Sequence, residues 1–168
     1  MDLAKLASAY LSLKNENIKE LINFNQPYPK KINSIFLPTT HGTASEVTMW
    51  ATLWNMDEKK KYSISHVDLY PSSAILDPNL AITMPLEISI ATTMDALSHS
   101  LESIWNKNSN PKSTEYAKKS INLILKNASR IVNEPFNLKL RKKLLKASTL
   151  AGLAFSNTKT AAAHSISY

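Results

Sequence analysis

Cysteine is absent from the 168 residues, which excludes a disulfide framework and any thiolate metal site and fits a reducing, cytoplasmic setting. Glycine is almost absent as well, occurring only as Gly42 and Gly152. Two isolated glycines cannot build a Gly-x-Gly-x-x-Gly turn or a P-loop, so any dinucleotide bound here takes its pyrophosphate contacts from elsewhere. No apolar run approaches the roughly twenty residues that a membrane span needs, and the N-terminus lacks the pattern of a signal peptide. Acidic side chains are outnumbered by basic ones, 13 against 20, for a formal charge of +7. The basic residues gather at Lys59-Lys60-Lys61 and along Lys139 to Lys146, in a turn and on the polar face of an expected helix. Without interleaved aromatic residues they favour solubility over nucleic-acid binding.

What is present suffices for a core: 43% of the residues are hydrophobic, in a length suited to one ordinary domain or two small half-domains. Leu3, Leu6, Ala7, Tyr10 and Leu11 recur at helical spacing and predict an amphipathic helix over Asp2 to Leu13. A second helical pattern runs from Asn15 to Asn25, broken by Gln26-Pro27-Tyr28-Pro29. Ile32 to Leu37 reads as a short buried strand. Val47 to Trp54 and Tyr62 to Val67 read as a β-hairpin around a charged turn, and Ala74 to Pro78 as a further strand. From Pro85 the texture becomes helical. Glu87 to Trp105 is one helix. A second begins with Asn110 as cap and Pro111 at the first helical position, carries Ala117, Ile121, Ile124, Ala128 and Ile131, and stops at Glu134-Pro135. A third starts near Asn137, with Leu144, Ser148, Ala151 and Phe155 on one face. The expected fold is an α/β portion over 1–85 followed by an all-helical portion over 86–168.

Two constellations carry chemistry. Asp95 and His99 stand four residues apart in an apolar helical run, so a carboxylate and an imidazole share one helix face. Burying that carboxylate without a partner is costly. With His164, which follows a second run of small residues, the pair suits Fe(II), Zn(II) or a similar first-row ion rather than calcium. Glu102, one turn beyond His99, is expected at the surface more often than in support of that histidine. The second constellation is Pro38-Thr39-Thr40-His41-Gly42-Thr43-Ala44-Ser45-Glu46-Val47-Thr48. Hydroxyls and backbone amides at the end of a strand can hold a nucleotide phosphate or a nicotinamide amide, although such a string is more commonly a plain turn. His41 and His66 receive no assigned role.

Four strings in fixed order, PTTHGTASEVT, AILDP at Ala74 to Pro78, TTMDALSHSLE at Thr92 to Glu102 and AGLAFSNT at Ala151 to Thr158, resemble the iron-containing (group III) alcohol dehydrogenase family. The resemblance covers essentially the whole chain. It implies a dehydroquinate synthase-like architecture, with a dinucleotide-binding α/β domain, a helical domain and a metal in the cleft between them. It also implies metal ligation by Asp95, His99 and His164, and an NAD(P) site lined by Thr39, Thr40, Thr43 and Lys61. The implied activity is hydride transfer between nicotinamide and a small alcohol or aldehyde, with iron(II) or zinc and NAD or NADP as cofactors. A metal there acts as a Lewis acid on the substrate oxygen.

The departures from the family pattern matter too. The family's Gly-Gly-Gly-Ser phosphate loop precedes the segment matching Met1 to Lys5, and its fourth metal ligand lies beyond the position of Tyr168. The resemblance thus implies a chain truncated at both ends, about half the family's length, open to association with missing segments or into homo-oligomers. Ala44 replaces a common glycine. The ending His164-Ser165-Ile166-Ser167-Tyr168 is similar to the branch that includes phosphonoacetaldehyde reductases. Two other readings compete: a catalytically inactive remnant or subunit that needs a second polypeptide, and a basic helical binding module.

Overall fold

The computed structural model describes residues 1–14 and 18–159. Its first portion begins with α1 (Asp2–Leu13) and α2 (Ile18–Asn23), followed by β1 (Ile35–Phe36) and the hairpin of β2 (Trp50–Asn55) and β3 (Lys60–Ser65). Next comes β4 (Ser73–Ala74), parallel to β1 with Ile35 opposite Ser73 and Phe36 opposite Ala74. The hairpin register places Trp50 opposite Ser65 and Trp54 opposite Lys61. Asn55 shapes its turn, its side-chain oxygen accepting from the amides of Asp57 and Glu58 at 3.0 Å each, an Asx arrangement suited to a tight reversal. The second portion holds α3 (Leu86–Trp105), α4 (Pro111–Asn127), α5 (Arg130–Asn133) and α6 (Leu138–Thr158).

Local chemistry explains the helix starts. Asn110 and Ser113 form a reciprocal capping box, each side chain accepting from or donating to the other's backbone, with Pro111 in the first turn. Asn137 caps α6 by accepting from the Leu140 amide at 3.1 Å. Such caps satisfy amide donors that the first helical turn leaves without partners. Between α3, α4 and α6, three alanines and one isoleucine, Ala96, Ile124, Ala147 and Ala151, form one buried cluster. Ser120 donates to the Ala147 carbonyl at 2.8 Å and accepts from Ser100 at 2.9 Å, so the hydroxyls placed at this close crossing find partners. A second core joins Ala9, Leu21, Tyr28, Ile64 and Leu69 beneath α1, α2 and the hairpin.

The α/β-then-helical order matches the sequence reading, but several details differ. The strand expected over Ile32 to Leu37 is two residues long, and Ile35 and Leu37 are exposed while Phe36 is buried. The strand expected from Ala74 to Pro78 is Ser73–Ala74, and Ser45–Val47 is a 3₁₀ turn ahead of the hairpin. The expected second helix is interrupted after Asn127 and resumes as α5. On α1 the buried face is Lys5, Ala9 and Ser12, whereas Leu3 and Leu11 are exposed. Arg141, expected on a polar face, is completely buried, and Glu102 is buried as well. Arg141 is hydrogen-bonded through Nε, Nη1 and Nη2 to Pro135 O, Ser89 Oγ and Met84 O, and Glu102 accepts from Ser98 Oγ, in keeping with the need to pair a buried charge. Of the second helical pattern, residues 15–17 lie outside the described residues.

Candidate active site

α3 and the loop from β1 to β2 carry the residues singled out in the sequence. Asp95 and His99 lie one turn apart on α3, with His99 Nε2 3.9 Å from Asp95 Oδ1. The imidazole is buried, while 32% of the Asp95 side chain is open to solvent. Phe155 of α6 stacks on the His99 ring with centroids 4.3 Å apart, and Trp50 at the start of β2 stacks on Phe155 at 5.5 Å. Three aromatic groups from the hairpin, α6 and α3 therefore form one column. Glu102, one turn after His99, accepts from Ser98 Oγ at 3.3 Å.

This donor set fits a first-row metal ion. A hard carboxylate and an imidazole stand close enough for one ion to bridge, since two metal–ligand bonds of about 2.0–2.2 Å span such a gap. Among the described residues no third His, Cys, Asp or Glu completes a metal-sized cluster. His164 lies outside the described residues, as does Tyr168.

The loop is braced from three sides. Lys5 of α1 is buried and donates to Ser45 O at 2.8 Å, Ser45 Oγ at 2.9 Å, Thr48 Oγ1 at 3.2 Å and Trp50 O at 2.9 Å. Burial lowers its pKa to about 8, against the opposing pull of Asp2 and Glu46. Asp2 in turn accepts from Ser45 Oγ at 2.7 Å and from the Thr52 amide at 2.9 Å. Glu46 is buried beside α6, accepts from Thr149 Oγ1 at 2.9 Å, and has its carboxyl pKa raised by that burial. Gly42 presses on α3, where an added Cβ would come 2.8 Å from Thr92 Cβ, and its carbonyl accepts from Ser148 Oγ at 3.0 Å.

Thr39, Thr40 and Thr43 share this loop, the first and last exposed and Thr40 half-buried. Lys61 is carried separately on β3, opposite Trp54, and partial burial lowers its pKa. Ala44 has φ 50° and ψ 35°, a left-handed conformation that costs an L-residue roughly 1–2 kcal/mol and that glycine adopts freely. Glycine, which the family resemblance implies at this position, would avoid that cost. His41 is buried and neutral, its pKa lowered to about 4 by burial and by the neighbouring Arg141. His66 caps a 3₁₀ turn, taking the Asp68 amide on Nδ1 and facing Gln26 O from Nε2 at 2.9 Å. Two surface depressions, of about 570 and 390 Å³, are lined by neither Asp95, His99 nor the three threonines.

Comparison with known proteins assigns the kinship. Residues 1–78 match the family model "iron-containing alcohol dehydrogenase", and residues 89–168 match "Fe-containing alcohol dehydrogenase family, C-terminal". The chain belongs to the iron-containing alcohol dehydrogenase family. That family is one of enzymes, and the α/β-plus-helical arrangement is its fold. A 1,3-propanediol dehydrogenase of Klebsiella pneumoniae is 39% identical over 130 residues, 77% of this chain and 34% of the relative. Long-chain-alcohol dehydrogenase 1 of Geobacillus thermodenitrificans is 34% identical over 171 residues, all of this chain and 42% of the relative. The structure of sulfoacetaldehyde reductase from Bifidobacterium kashiwanohense in complex with NAD+ superposes with a TM-score of 0.90 at 36% identity, over 99% of this chain and 44% of that one. The chain thus spans well under half the length of the curated relatives it matches, from 16% to 42%.

The Asp95/His99 pair and the threonine loop stand in the elements that the sequence predicts for them. The sequence pattern did not mark Lys5, Asp2, Trp50, Phe155 and Arg141 as the groups that hold those elements together. One signal was available for Lys5: it shares a helical face with Ala9 and Ser12, four and seven residues on. None was available for Arg141, whose neighbours in sequence are lysines.

Proposed function

We propose that this chain carries the metal- and cofactor-facing part of an NAD(P)-linked alcohol dehydrogenase or aldehyde reductase that transfers hydride between nicotinamide and a small alcohol or aldehyde. The observation that carries the reading is the Asp95–His99 pair, a carboxylate and a buried imidazole on one face of α3, in a chain of this family. In this reading Asp95, His99 and His164 hold Fe(II), with zinc as the alternative ion, and Thr39, Thr40, Thr43 and Lys61 face NAD or NADP. The bound ion supplies Lewis acidity at the substrate oxygen. The chain's own residues orient the partners: the braced loop presents its hydroxyls, and the Phe155 stack holds the His99 ring in plane. Residues 1–85 form the cofactor-binding portion and 86–168 the metal-binding portion. The solved sulfoacetaldehyde reductase relative supports a small aldehyde bearing an anionic group, and phosphonoacetaldehyde is the specific candidate.

The test is metal binding by the chain itself. Co(II), a spectroscopic substitute for Fe(II) or Zn(II), is titrated into wild type, Asp95→Ala and His99→Ala, with NADH fluorescence followed in parallel. Wild type binds Co(II), and each substitution weakens binding about tenfold or more, the usual effect of removing a ligand or its close support. Equal Co(II) affinity in all three proteins removes the metal from this site.

A further inference from the structure

Between the nucleotide loop and α3 lies a buried polar clamp that the reading above does not use. His41 Nδ1 faces Thr93 Oγ1 at 3.2 Å and Thr92 Oγ1 at 3.3 Å. Each threonine hydroxyl already directs its hydrogen to a carbonyl of the preceding turn, Thr93 to Ser89 O at 2.7 Å and Thr92 to Ile88 O at 2.8 Å. Only lone pairs are left for His41, so Nδ1 carries the proton. On the other side Nε2 meets Arg141 Nη1 at 3.2 Å. A guanidinium has donors only, so Nε2 is the acceptor. The imidazole is therefore held in one neutral tautomer by its two faces alone.

Arg141 makes a further contact on α3 and extends the clamp to two more segments. Its Nη1 also donates to Ser89 Oγ at 2.6 Å, Nη2 to Met84 O at 3.1 Å and Nε to Pro135 O at 2.9 Å. One buried side chain thus ties together the loop, the approach to α3, α3 itself and the entry to α6. The positions matter as much as the bonds. His41 lies between Thr40 and Thr43, and Thr92 and Thr93 lie within one turn of Asp95.

We propose that His41, held between Arg141 and Thr93, is a positioning residue that fixes the Thr39–Thr43 loop against the helix carrying Asp95 and His99. The proposal rests on the functional reading above for what the loop and the helix bind, but the clamp acts on the backbone with or without a ligand. A histidine that merely filled space would be replaced without consequence by a leucine. A positioning histidine needs an acceptor toward Arg141 or a donor toward Thr93, and Gln supplies both kinds of atom.

The experiment compares the full chain with His41→Leu, His41→Gln and Thr93→Val by amide hydrogen exchange over residues 39–47 and 86–100, and by NADH titration. His41→Leu accelerates exchange in residues 39–47 about tenfold and weakens NADH binding to a similar extent, as expected for stranding buried polar groups, while exchange in α4 stays unchanged. His41→Gln restores most of both. Equal behaviour of the Leu and Gln variants, or an unchanged loop in both, overturns the proposal. If His41→Leu does not fold, Thr93→Val keeps the side-chain shape and decides: faster loop exchange supports the clamp, and wild-type exchange refutes it. Absence of NADH binding by wild type would remove the cofactor reading alone, because the exchange data still decide whether His41 fixes the loop.

Discussion

The His99 imidazole and the Phe155 ring lie stacked, centroids 4.3 Å apart and planes 27° apart. Phe155 is almost fully buried and also stacks on Trp50, so it links the hairpin to α3 through one side chain. Truncating it removes both contacts and leaves a cavity beside His99. Phe155→Ala is expected to lower unfolding free energy by about 3–5 kcal/mol, the range for a buried aromatic side chain. Trp50→Ala, at a half-buried position, costs less. Urea midpoints at constant slope measure both, and a loss under 1 kcal/mol for Phe155→Ala would show that the column carries little weight.

Gly152 and Ala44 meet where α6 crosses the loop. A Cβ on Gly152 would stand 2.3 Å from Ala44 Cβ and 2.6 Å from Val47 Cγ2, so Gly152→Ala forces the loop away from the helix. Overpacking of this kind costs about 1–3 kcal/mol. Ala44→Gly removes one of the two clashing atoms and relieves the left-handed backbone of residue 44. The double variant is therefore expected to recover part of the Gly152→Ala loss, with a favourable coupling of about 1 kcal/mol in a double-mutant cycle. Strict additivity of the two changes would place the strain at Val47 instead.

These contacts show which parts of the molecule were legible in the amino-acid order. The extents of α1 and α3 and the starts of α4 and α6 were readable because caps, prolines and the 3.6-residue period act locally: Asn110-Pro111 and Asn137 start helices through atoms three residues away. The Asp95–His99 pair was readable for the same reason, since four residues on a helix is a spatial statement. β1 and β4 were overestimated because apolar runs such as Ile35-Phe36-Leu37 declare hydrophobicity without declaring a partner strand. Arg141 and Lys5 were illegible because burial of a charge depends on acceptors supplied from far along the chain. Arg141 meets His41 across 100 positions, and Lys5 meets Ser45 across 40. The basic run that seemed to be a solvated face hides one of its members for that reason.

His41 also predicts how stability responds to acid. Its pKa is about 4 in the folded chain, lowered first by burial and then by Arg141, against roughly 6.5 in an unfolded one. Between those values the unfolded chain takes up a proton that the folded chain refuses, so stability falls as the pH falls. The contribution is complete above about pH 6.5 and is lost progressively toward pH 4, on the order of 3 kcal/mol in all. Carboxylates titrate in the same window, so the informative quantity is the difference between wild type and His41→Gln, which has no group to protonate at this position. Urea midpoints measured from pH 7 to pH 4 are expected to fall more steeply in wild type than in the variant, with the two curves converging at the acid end if Gln is the less stable at neutral pH. Parallel curves would mean that His41 takes its proton in the folded state as readily as in the unfolded one, and that neither burial nor Arg141 holds it neutral.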